Sequence, residues 1–239
     1  MSWRRSRYNR PMHGYSQFCP IAKATEILGR RWMLLVIREL LCGSRQFNDI
    51  HRGVPKMSRT LLVKRLNELE AEGILERRPG DSGHHEYHLT EAGEALRPIV
   101  MELGGWGKRW VGAGISPEDL DASLVMWDVQ RRIQRDALPD HRVVIHFRFS
   151  DAPRRQRHFW LVLEPEDVDL CLKDPGYDID LTAISDVATF TKIWIGDLDI
   201  RQAIRDGDFL ITGPAQLRDA FPRWLALSPF SGTQRARSQ

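Results

Sequence analysis

The stretch KMSRTLLVKRLNELEAEGI, residues 56–74, constrains the fold more than any other part of the chain. Three leucines recur there at helical spacing and form one apolar face: Leu62, Leu66 and Leu69. Ser58 stands where an N-cap residue is expected, and Gly73 stands where a helix commonly ends. The segment therefore predicts a well-bounded helix over residues 58–72 that must pack its leucine face against other elements.

Short elements on both sides of this helix predict its setting. Before it, residues 21–41 have the mostly apolar pattern of a buried helix interrupted near Gly29, and residues 45–54 read as a short helix. After it come two strand candidates, ILERR and HEYHL, joined by the turn-rich PGDSG, and a long helix begins at Thr90. Three helices, a hairpin and a helix in this order are typical of a winged helix-turn-helix domain.

The helical face opposite the leucines carries side chains suited to DNA. A hydroxyl, an ammonium and an amide occur there on Thr60, Lys64 and Asn67, with Val63 beside them. Such groups can bond guanine or adenine, or touch a thymine methyl, in the major groove. The solvated face of an ordinary amphipathic helix would look the same. The short helix before it and the hairpin after it favour the DNA-binding interpretation.

Charge is distributed unevenly along the 239 residues. Residues 1–115 carry 19 Lys and Arg against 12 Asp and Glu, whereas residues 116–239 carry 16 against 20. The stretch GAGISPEDL ends one helical pattern, and Ser116 is placed to cap the next helix. We therefore predict a DNA-binding and dimerisation domain over 1–115, a second domain over 116–230 for ligand sensing or dimerisation, and a disordered tail over 231–239.

Composition and motifs argue against several other classes. The chain has no apolar run of about 18 residues, and its basic N-terminus lacks the apolar stretch of a secretory signal, so no membrane association is expected. Three widely spaced cysteines favour a reducing, cytoplasmic compartment. The sequence contains no nucleophile elbow, P-loop, dinucleotide fingerprint or paired-cysteine zinc motif, so we expect neither an enzyme nor a bound cofactor.

Several motifs resemble the HxlR-type regulators, which are bacterial winged helix-turn-helix proteins of the MarR superfamily. They occur in register as a Cys-Pro start at Cys19, GRRW ahead of a long helix, RQFNDI in the short helix, LEAEGILERR at the first strand, and EYHLTEAG after the hairpin turn. The resemblance implies a transcriptional regulator that binds double-stranded operator DNA as a homodimer, with half-sites about one helical turn apart. It also implies dimerisation through the helix from Thr90 together with N-terminal helices.

The resemblance further implies which residues contact DNA. The matching positions are Ser58, Arg59, Thr60, Lys64 and Arg65 on the 58–72 helix, and Arg77 and Arg78 on the wing. One departure concerns specificity, because the family often has proline and lysine where this chain has Arg59 and Thr60. The operator sequence of a relative therefore does not transfer to this chain.

The wing also contains GHHEYHLT, with three histidines and a glutamate in five residues. In a strand His84, Glu86 and His88 would share one face and His85 the other, so a closed metal site would need a further ligand and no metal is expected. His84 and His85 lie beside the wing tip, where they can approach phosphate or the minor groove. They would be charged mainly below about pH 6.5, which raises the question whether operator affinity strengthens at acidic pH.

Cys19 directly precedes Pro20 at the start of a helix, with Lys23 one turn on. A helix N-terminus and nearby cations lower the pKa of a thiol, and some relatives of the resembled family sense oxidants or electrophiles through a cysteine at this position. The alternative is a small packed residue, as most free cysteines are. We interpret Cys42 and Cys171 as core residues.

The second half predicts an α+β domain. After a helix carrying Leu120, Leu124 and Trp127 come strand candidates in RVVIHFRF, HFWLVLE, DVDLCLK and YDIDLTA, two helices over 186–205, the strand DFLITG and a helix from Pro214. This order, and above all IWIGDLDIRQAIRDGDFLITGPAQL, resembles the sterol carrier protein fold over about residues 117–230. The resemblance implies an antiparallel sheet covered by helices, with an apolar tunnel between the layers.

Aromatic residues of this domain have two interpretations. An apolar effector pocket, which would bias the DNA-binding dimer, could be lined by Phe147, Phe149, Trp160, Phe190 and Trp194. The alternative is that they fill an ordinary core. A different class also stays open for the whole chain, namely a lipid or small-molecule carrier, or an interaction protein, with an accessory basic domain. Tight, site-specific DNA binding would separate a regulator from such a carrier.

Overall fold

The computed structural model of the protein describes residues 14–80, 83–111 and 115–236. The chain divides between Gly104 and Gly105 into two compact units, called unit 1 and unit 2 below. None of the helices in the described ranges is long and apolar enough to cross a membrane. The domain limits placed after residues 115 and 230 stay a prediction.

Unit 1 has the predicted order of three helices, a hairpin and a helical segment. Its elements are α1 Pro20–Leu28, α2 Met33–Leu41, α3 Phe47–Gly53, α4 Arg59–Ala71, β1 Leu75–Pro79, β2 His85–Leu89, α5 Glu91–Glu94 and α6 Arg97–Trp106, the last of which contains the division between the units. β1 and β2 pair antiparallel, with Leu75 opposite Leu89 and Arg77 opposite Tyr87. The predicted winged helix-turn-helix architecture is confirmed.

Local sequence explains where these helices begin and end. Trp32 has a left-handed backbone (φ 76°) between α1 and α2, close to the interruption predicted near Gly29. The Ser58 hydroxyl accepts a hydrogen bond from the Leu61 N–H at 3.3 Å, as the predicted N-cap of α4. Because a proline at position 98 lacks an N–H donor, the helix predicted to run on from residue 90 is divided into α5 and α6.

The core of unit 1 is aliphatic around one buried charge. Leucine, isoleucine, valine and methionine side chains from α2, α3, α4 and the hairpin form the cluster, with Leu62, Leu66 and Leu69 on its α4 side. Glu39 is fully buried and accepts hydrogen bonds from the Arg38 guanidinium at 2.6 and 3.0 Å. Arg38 also donates to the Gly53 carbonyl at 2.8 Å, so this ion pair joins α2 to the end of α3.

Unit 2 is an α+β unit built on a five-stranded sheet. Its elements are α7 Ala122–Gln130, β3 Val143–Phe149, β4 His158–Leu163, β5 Val168–Cys171, β6 Leu181–Ser185, α8 Val187–Trp194, α9 Ile200–Asp206, β7 Leu210–Thr212 and α10 Ala215–Trp224. The strand order is β5-β4-β3-β6-β7. The predicted all-antiparallel sheet is wrong, because β3 and β6 are parallel neighbours while the other pairs are antiparallel. Residues 172–180 make this possible by crossing from the edge strand β5 back to β6.

One face of this sheet packs against helices and forms an aromatic core. Phe147 and Phe149 of β3 both contact Phe190 of α8, with ring centroids 5.4 and 5.7 Å apart, and Phe147 also contacts Phe221 of α10. α7 buries Ala122, Val125, Met126 and Val129 rather than the predicted face of Leu124 and Trp127. The sterol carrier fold remains a prediction for this unit.

The opposite face of the sheet carries polar and aromatic side chains under the 172–180 crossover. His146 lies opposite Trp160 in the β3–β4 register, and their rings stack with centroids 4.8 Å apart. Asp180 joins the end of the crossover to β3, because its carboxylate accepts from the Val144 N–H at 2.8 Å. Near the chain end, Arg235 pairs with Asp197, and the disordered tail over 231–239 stays a prediction. Residues 237–239 lie outside the described residues.

Candidate nucleic-acid interface

The helix-turn-helix presents one face of α4 to solvent, as predicted. Leu62, Leu66 and Leu69 are buried, whereas Thr60, Val63, Lys64 and Asn67 are exposed. Thr60 and Lys64 form no side-chain hydrogen bond or ion pair within the described residues. A hydroxyl and an ammonium, with a valine methyl between them, are therefore available to base edges in a major groove.

Two arginines predicted to contact DNA are held by other residues of unit 1. Arg65 donates to the Arg31 carbonyl at 3.0 Å and to Glu68 at 2.6 Å, and it is half-buried. Arg59 donates to the Asn48 side chain at 3.1 Å, and its guanidinium lies 5.6 Å from the Phe47 ring centroid. Arg59 thus fastens the start of α4 to α3, and Arg65 fastens α4 to the turn before α2.

The wing is tied to α4 through Arg77. Its guanidinium hydrogen-bonds the Asn67 side chain, pairs with Glu70 at 3.1 Å and lies over the Tyr87 ring. The predicted pair of wing arginines is therefore unequal, because Arg78 is the more exposed of the two and, among the described residues, pairs with its strand neighbour Glu76 alone. Surface ion pairs of this kind are weak and can exchange a carboxylate for a phosphate.

The histidines of the wing divide into two groups. His84 and His85 are exposed at the wing turn, next to Asp81 and Ser82, which lie outside the described residues. His88 instead contacts Glu86, with Nε2 and Oε2 2.9 Å apart. Within the described ranges no three His, Cys, Asp or Glu side chains are grouped as metal ligands. The prediction that no metal binds here stays a prediction.

The sequence interpretation missed the residues that hold the DNA-facing arginines in place. Asn48 and Phe47 of α3 position Arg59, and Glu70 of α4 positions Arg77. Polar side chains on two short helices give no sequence signal for such contacts, because the partners are distant along the chain and depend on how the helices pack.

The three cysteines have different surroundings. Cys19 is half-buried at the N-cap of α1, and its carbonyl accepts from the Lys23 N–H at 3.1 Å. Cys42 is exposed, so its predicted place in the core is wrong: it lies beyond the last turn of α2. Cys171 is half-buried at the end of β5, where burial and the neighbouring Asp169 raise the pKa of its thiol.

The residues predicted to line an effector pocket do not share one site. Phe147, Phe149, Phe190 and Trp194 belong to the aromatic core between sheet and helices. Trp160 lies on the other face, because it pairs with His146 while Phe159 pairs with Phe147. The four core residues remain candidates for contact with an apolar ligand, whereas Trp160 is separated from them by the sheet.

The HxlR-like helix-turn-helix family model matches residues 27–115. The HTH-type transcriptional regulator YvaP of Bacillus subtilis is 40% identical over 99 residues, which cover 40% of this chain and 92% of that protein. The chain belongs to the HxlR-like helix-turn-helix family. Another HxlR-like relative, YodB of Bacillus subtilis, is 35% identical over 99 residues and 88% of its length is covered. The structure of reduced YodB is matched at 36% identity with a TM-score of 0.35, covering 38% of this chain and 93% of that one.

The family match and the curated relatives establish the coarse function of the chain, which is that of a helix-turn-helix transcriptional regulator. Curated HxlR-like relatives are HTH-type transcriptional regulators, and the helix-turn-helix of unit 1 is the DNA-binding element of such proteins. Each of these similarities covers about two fifths of the chain.

Proposed function

We propose that the protein is a cytoplasmic, non-enzymatic transcriptional regulator that binds operator DNA as a homodimer, with one α4 in the major groove of each half-site and the wing beside it. The observation that carries this proposal is the exposed set Thr60, Val63 and Lys64 on α4, of which Thr60 and Lys64 have no side-chain partner among the described residues. These side chains stand on a capped helix whose opposite face is fixed by three buried leucines, so they are presented in a defined register.

The arginines around α4 complete the proposed interface. Arg77 and Arg78 lie on the wing, and each is paired with a carboxylate at the surface. On binding, these guanidinium groups would exchange carboxylate for phosphate, which is a common mode of backbone recognition by arginine. Arg59 and Arg65 would act differently, because their hydrogen bonds to Asn48 and Arg31 position α4 itself.

Exposed apolar side chains support the homodimer. Phe18, ahead of α1, is 99% exposed, and it is accompanied on α1 and α6 by Ile21, Ile99, Met101 and Leu103. Large exposed hydrophobic residues commonly mark a protein–protein interface where they form a contiguous patch. A two-fold dimer through these residues would supply the second recognition helix that a palindromic operator needs.

The test is DNA binding by a variant that loses only the exposed side chains of α4. The duplex is first selected by the wild-type protein from a genomic fragment library. We expect T60A/K64A to bind it at least tenfold more weakly in fluorescence anisotropy, since each lost base contact costs about 1–3 kcal/mol. The matched control is K192A, which removes an exposed lysine from α8 of unit 2. Equal binding by T60A/K64A and wild type, or no selected duplex, would contradict the proposed function.

An apolar effector in unit 2 is a finer part of the same proposal. Its support is the cluster of Phe147, Phe149, Phe190 and Trp194 between sheet and helices. These side chains belong to one packed core, so an effector would have to displace some of them. The change in DNA-binding free energy would come from the difference in effector affinity between the two dimer states. If the operator affinity of the delipidated protein did not change with fatty acids, sterols or aromatic extracts, the effector proposal would be contradicted. If the protein bound one of these compounds but no specific DNA site, the carrier alternative would be favoured.

The proposed function also includes a redox-sensing role for Cys19. The thiol stands at the N-cap of α1, beside the exposed apolar residues of the proposed dimer interface, so its modification could alter dimer geometry. We expect diamide to release operator DNA from the wild type and from C42S, but not from C19S. Equal release from all three proteins would contradict this role.

A further inference from the structure

The β3–β4 hairpin concentrates positive charge in the half of the chain that is otherwise acidic. Residues 116–239 contain 16 Lys and Arg against 20 Asp and Glu, but residues 146–158 alone contain four arginines, two histidines and one aspartate. Three of the arginines are exposed, and we call them the hairpin basic patch: Arg148 on the outward face of β3, and Arg154 and Arg155 in the 3₁₀ turn that follows.

The charges of this patch are not neutralised by any residue that the structure describes. Within the described part of the chain, Arg148, Arg154 and Arg155 form no ion pair and no side-chain hydrogen bond. Some other arginines of unit 2 are paired: Arg142, for example, binds Glu164 at 2.5 Å. Three unpaired guanidinium groups on one hairpin produce a positive local potential that favours an anionic partner.

The turn that carries two of these arginines is fixed to the rest of unit 2. The Asp151 carboxylate accepts a hydrogen bond from the Val187 N–H at 2.9 Å, at the start of α8. Gln156 donates to the Asp121 carboxylate at 3.3 Å, at the start of α7. The one aspartate of the hairpin is thus engaged with a helix, and the patch stands on a backbone that loses little freedom on binding.

The chemistry of the patch fits a phosphate backbone. Guanidinium groups bind phosphate through paired N–H donors. The large exposed hydrophobic residues of the described chain do not include any residue between 146 and 158, so the hairpin lacks the apolar side chains that insert into a lipid surface or anchor a protein interface. Duplex DNA held by unit 1 would be tethered to this patch through the chain itself, at a high effective concentration.

We propose that the hairpin basic patch binds backbone phosphates of the same DNA duplex outside the operator half-sites, an inference that rests on the proposed function. Unit 1 would select the sequence, and unit 2 would add sequence-independent affinity in the flanking DNA. The contributions of unit 1 and unit 2 to affinity can be measured separately. Contacts to flanking phosphates require DNA that extends beyond the operator, whereas recognition of the operator bases does not.

The experiment compares two duplexes and three full-length proteins. One duplex ends at the selected operator, and the other extends it by about 20 base pairs on each side, a length spanning roughly two helical turns. The proteins are the wild type, R148S/R154S/R155S and a charge-matched control, R201S/R218S/R223S, which removes three exposed and unpaired arginines from α9 and α10. Dissociation constants are measured at several salt concentrations, and thermal melting confirms that both triple variants are folded.

We expect the wild type and the control to bind the long duplex more tightly than the short one, with a salt slope steeper by up to about 2.7 for the three phosphate contacts of each protomer. R148S/R154S/R155S should lose that length-dependent gain and keep the wild-type affinity for the short duplex. No gain for the wild type, or an equal loss in both triple variants, would overturn the proposal while leaving the proposed function intact. Failure of the wild type to prefer the short operator duplex over random DNA would overturn both.

Discussion

Units 1 and 2 use their side chains in opposite ways. Unit 1 has an aliphatic core, and the polar side chains of its candidate site lie at the surface of α4. Of these, Thr60 and Lys64 have no partner among the described residues. Unit 2 encloses its aromatic residues, so that Phe147, Phe149 and Phe190 pack against one another. Substitutions at the candidate site of unit 1 should therefore alter binding without altering folding, whereas substitutions at the candidate pocket of unit 2 should alter folding first.

The largest expected effect is on the stability of unit 2. F190A removes a fully buried ring that contacts three other phenylalanines, so we expect the free energy of unfolding of unit 2 to fall by about 3–5 kcal/mol. Urea denaturation followed by tryptophan fluorescence measures it. L210A, which truncates a half-exposed side chain of β7, is the control and should cost much less. A loss below 1 kcal/mol for F190A would show that the aromatic cluster is loosely packed, as a ligand cavity would be.

A smaller loss of stability is expected for unit 1 when the packing around the buried Glu39 is changed. In G53A the new Cβ would lie 1.9 Å from the carboxylate of Glu39, which is fully buried and bound by Arg38. We expect a destabilisation of about 1–3 kcal/mol by overpacking, measured by thermal melting. R52A, one residue earlier and exposed, should change stability by no more than about 0.5 kcal/mol. Equal melting of G53A and wild type would show that α3 can move away from α2 without cost.

Most of unit 1 was predictable from the sequence, because its signals are local. Ser58 as a cap, the spacing of Leu62, Leu66 and Leu69, and the turn before His85 depend on neighbouring residues and are confirmed. The partners of Arg59, Arg65 and Arg77 were not predictable, since Asn48, Arg31 and Asn67 meet them only after packing. Three of the four arginines predicted to contact DNA thus have positioning contacts that no periodicity could show.

Unit 2 was less predictable for a related reason. Alternation within each strand identified the inward residues of β3, but the sheet order depends on pairing between distant strands. The parallel pair of β3 and β6 follows from the path of residues 172–180, which contains no helix or strand although the predicted strands DVDLCLK and YDIDLTA extend into it. Trp160 was grouped with the core aromatics because aromatic type alone does not reveal which face of a sheet a residue occupies.

The wing tests whether a substitution at the surface of unit 1 alters DNA binding without altering folding. We expect R77A to weaken operator binding by roughly tenfold and to reduce the salt slope by about 1, because one phosphate contact is lost. Its melting temperature should stay near that of the wild type, since its ion pair with Glu70 is at the surface. Anisotropy titrations at several salt concentrations measure both quantities. A change in stability with unchanged DNA affinity would place Arg77 among structural residues instead.

The smallest expected effect concerns pH and the outer sheet face of unit 2. Burial lowers the pKa of His146, with further lowering by His158 and Arg148, while Asp174 acts in the opposite direction. His146 Nε2 and His158 Nδ1 are 2.9 Å apart and share one hydrogen bond, which is lost when both of these nitrogens carry a proton. Because the unfolded chain binds this proton more readily, the contribution of His146 to stability is present above about pH 6.5 and is lost as pH falls through the lowered pKa of the folded state.

We therefore expect the melting temperature of unit 2 to decrease between pH 7 and pH 5 by more in the wild type than in H146Q. H141Q is the matched control, because His141 is exposed and lies just before β3. Its melting temperature should follow that of the wild type across the same range. Operator affinity measured in parallel separates this effect on the fold of unit 2 from any change in DNA binding. If the melting temperatures of the wild type and H146Q fell in parallel, protonation of His146 would not destabilise unit 2. Charge on the outer sheet face of unit 2 would then affect stability as little as charge on the surface of unit 1 does.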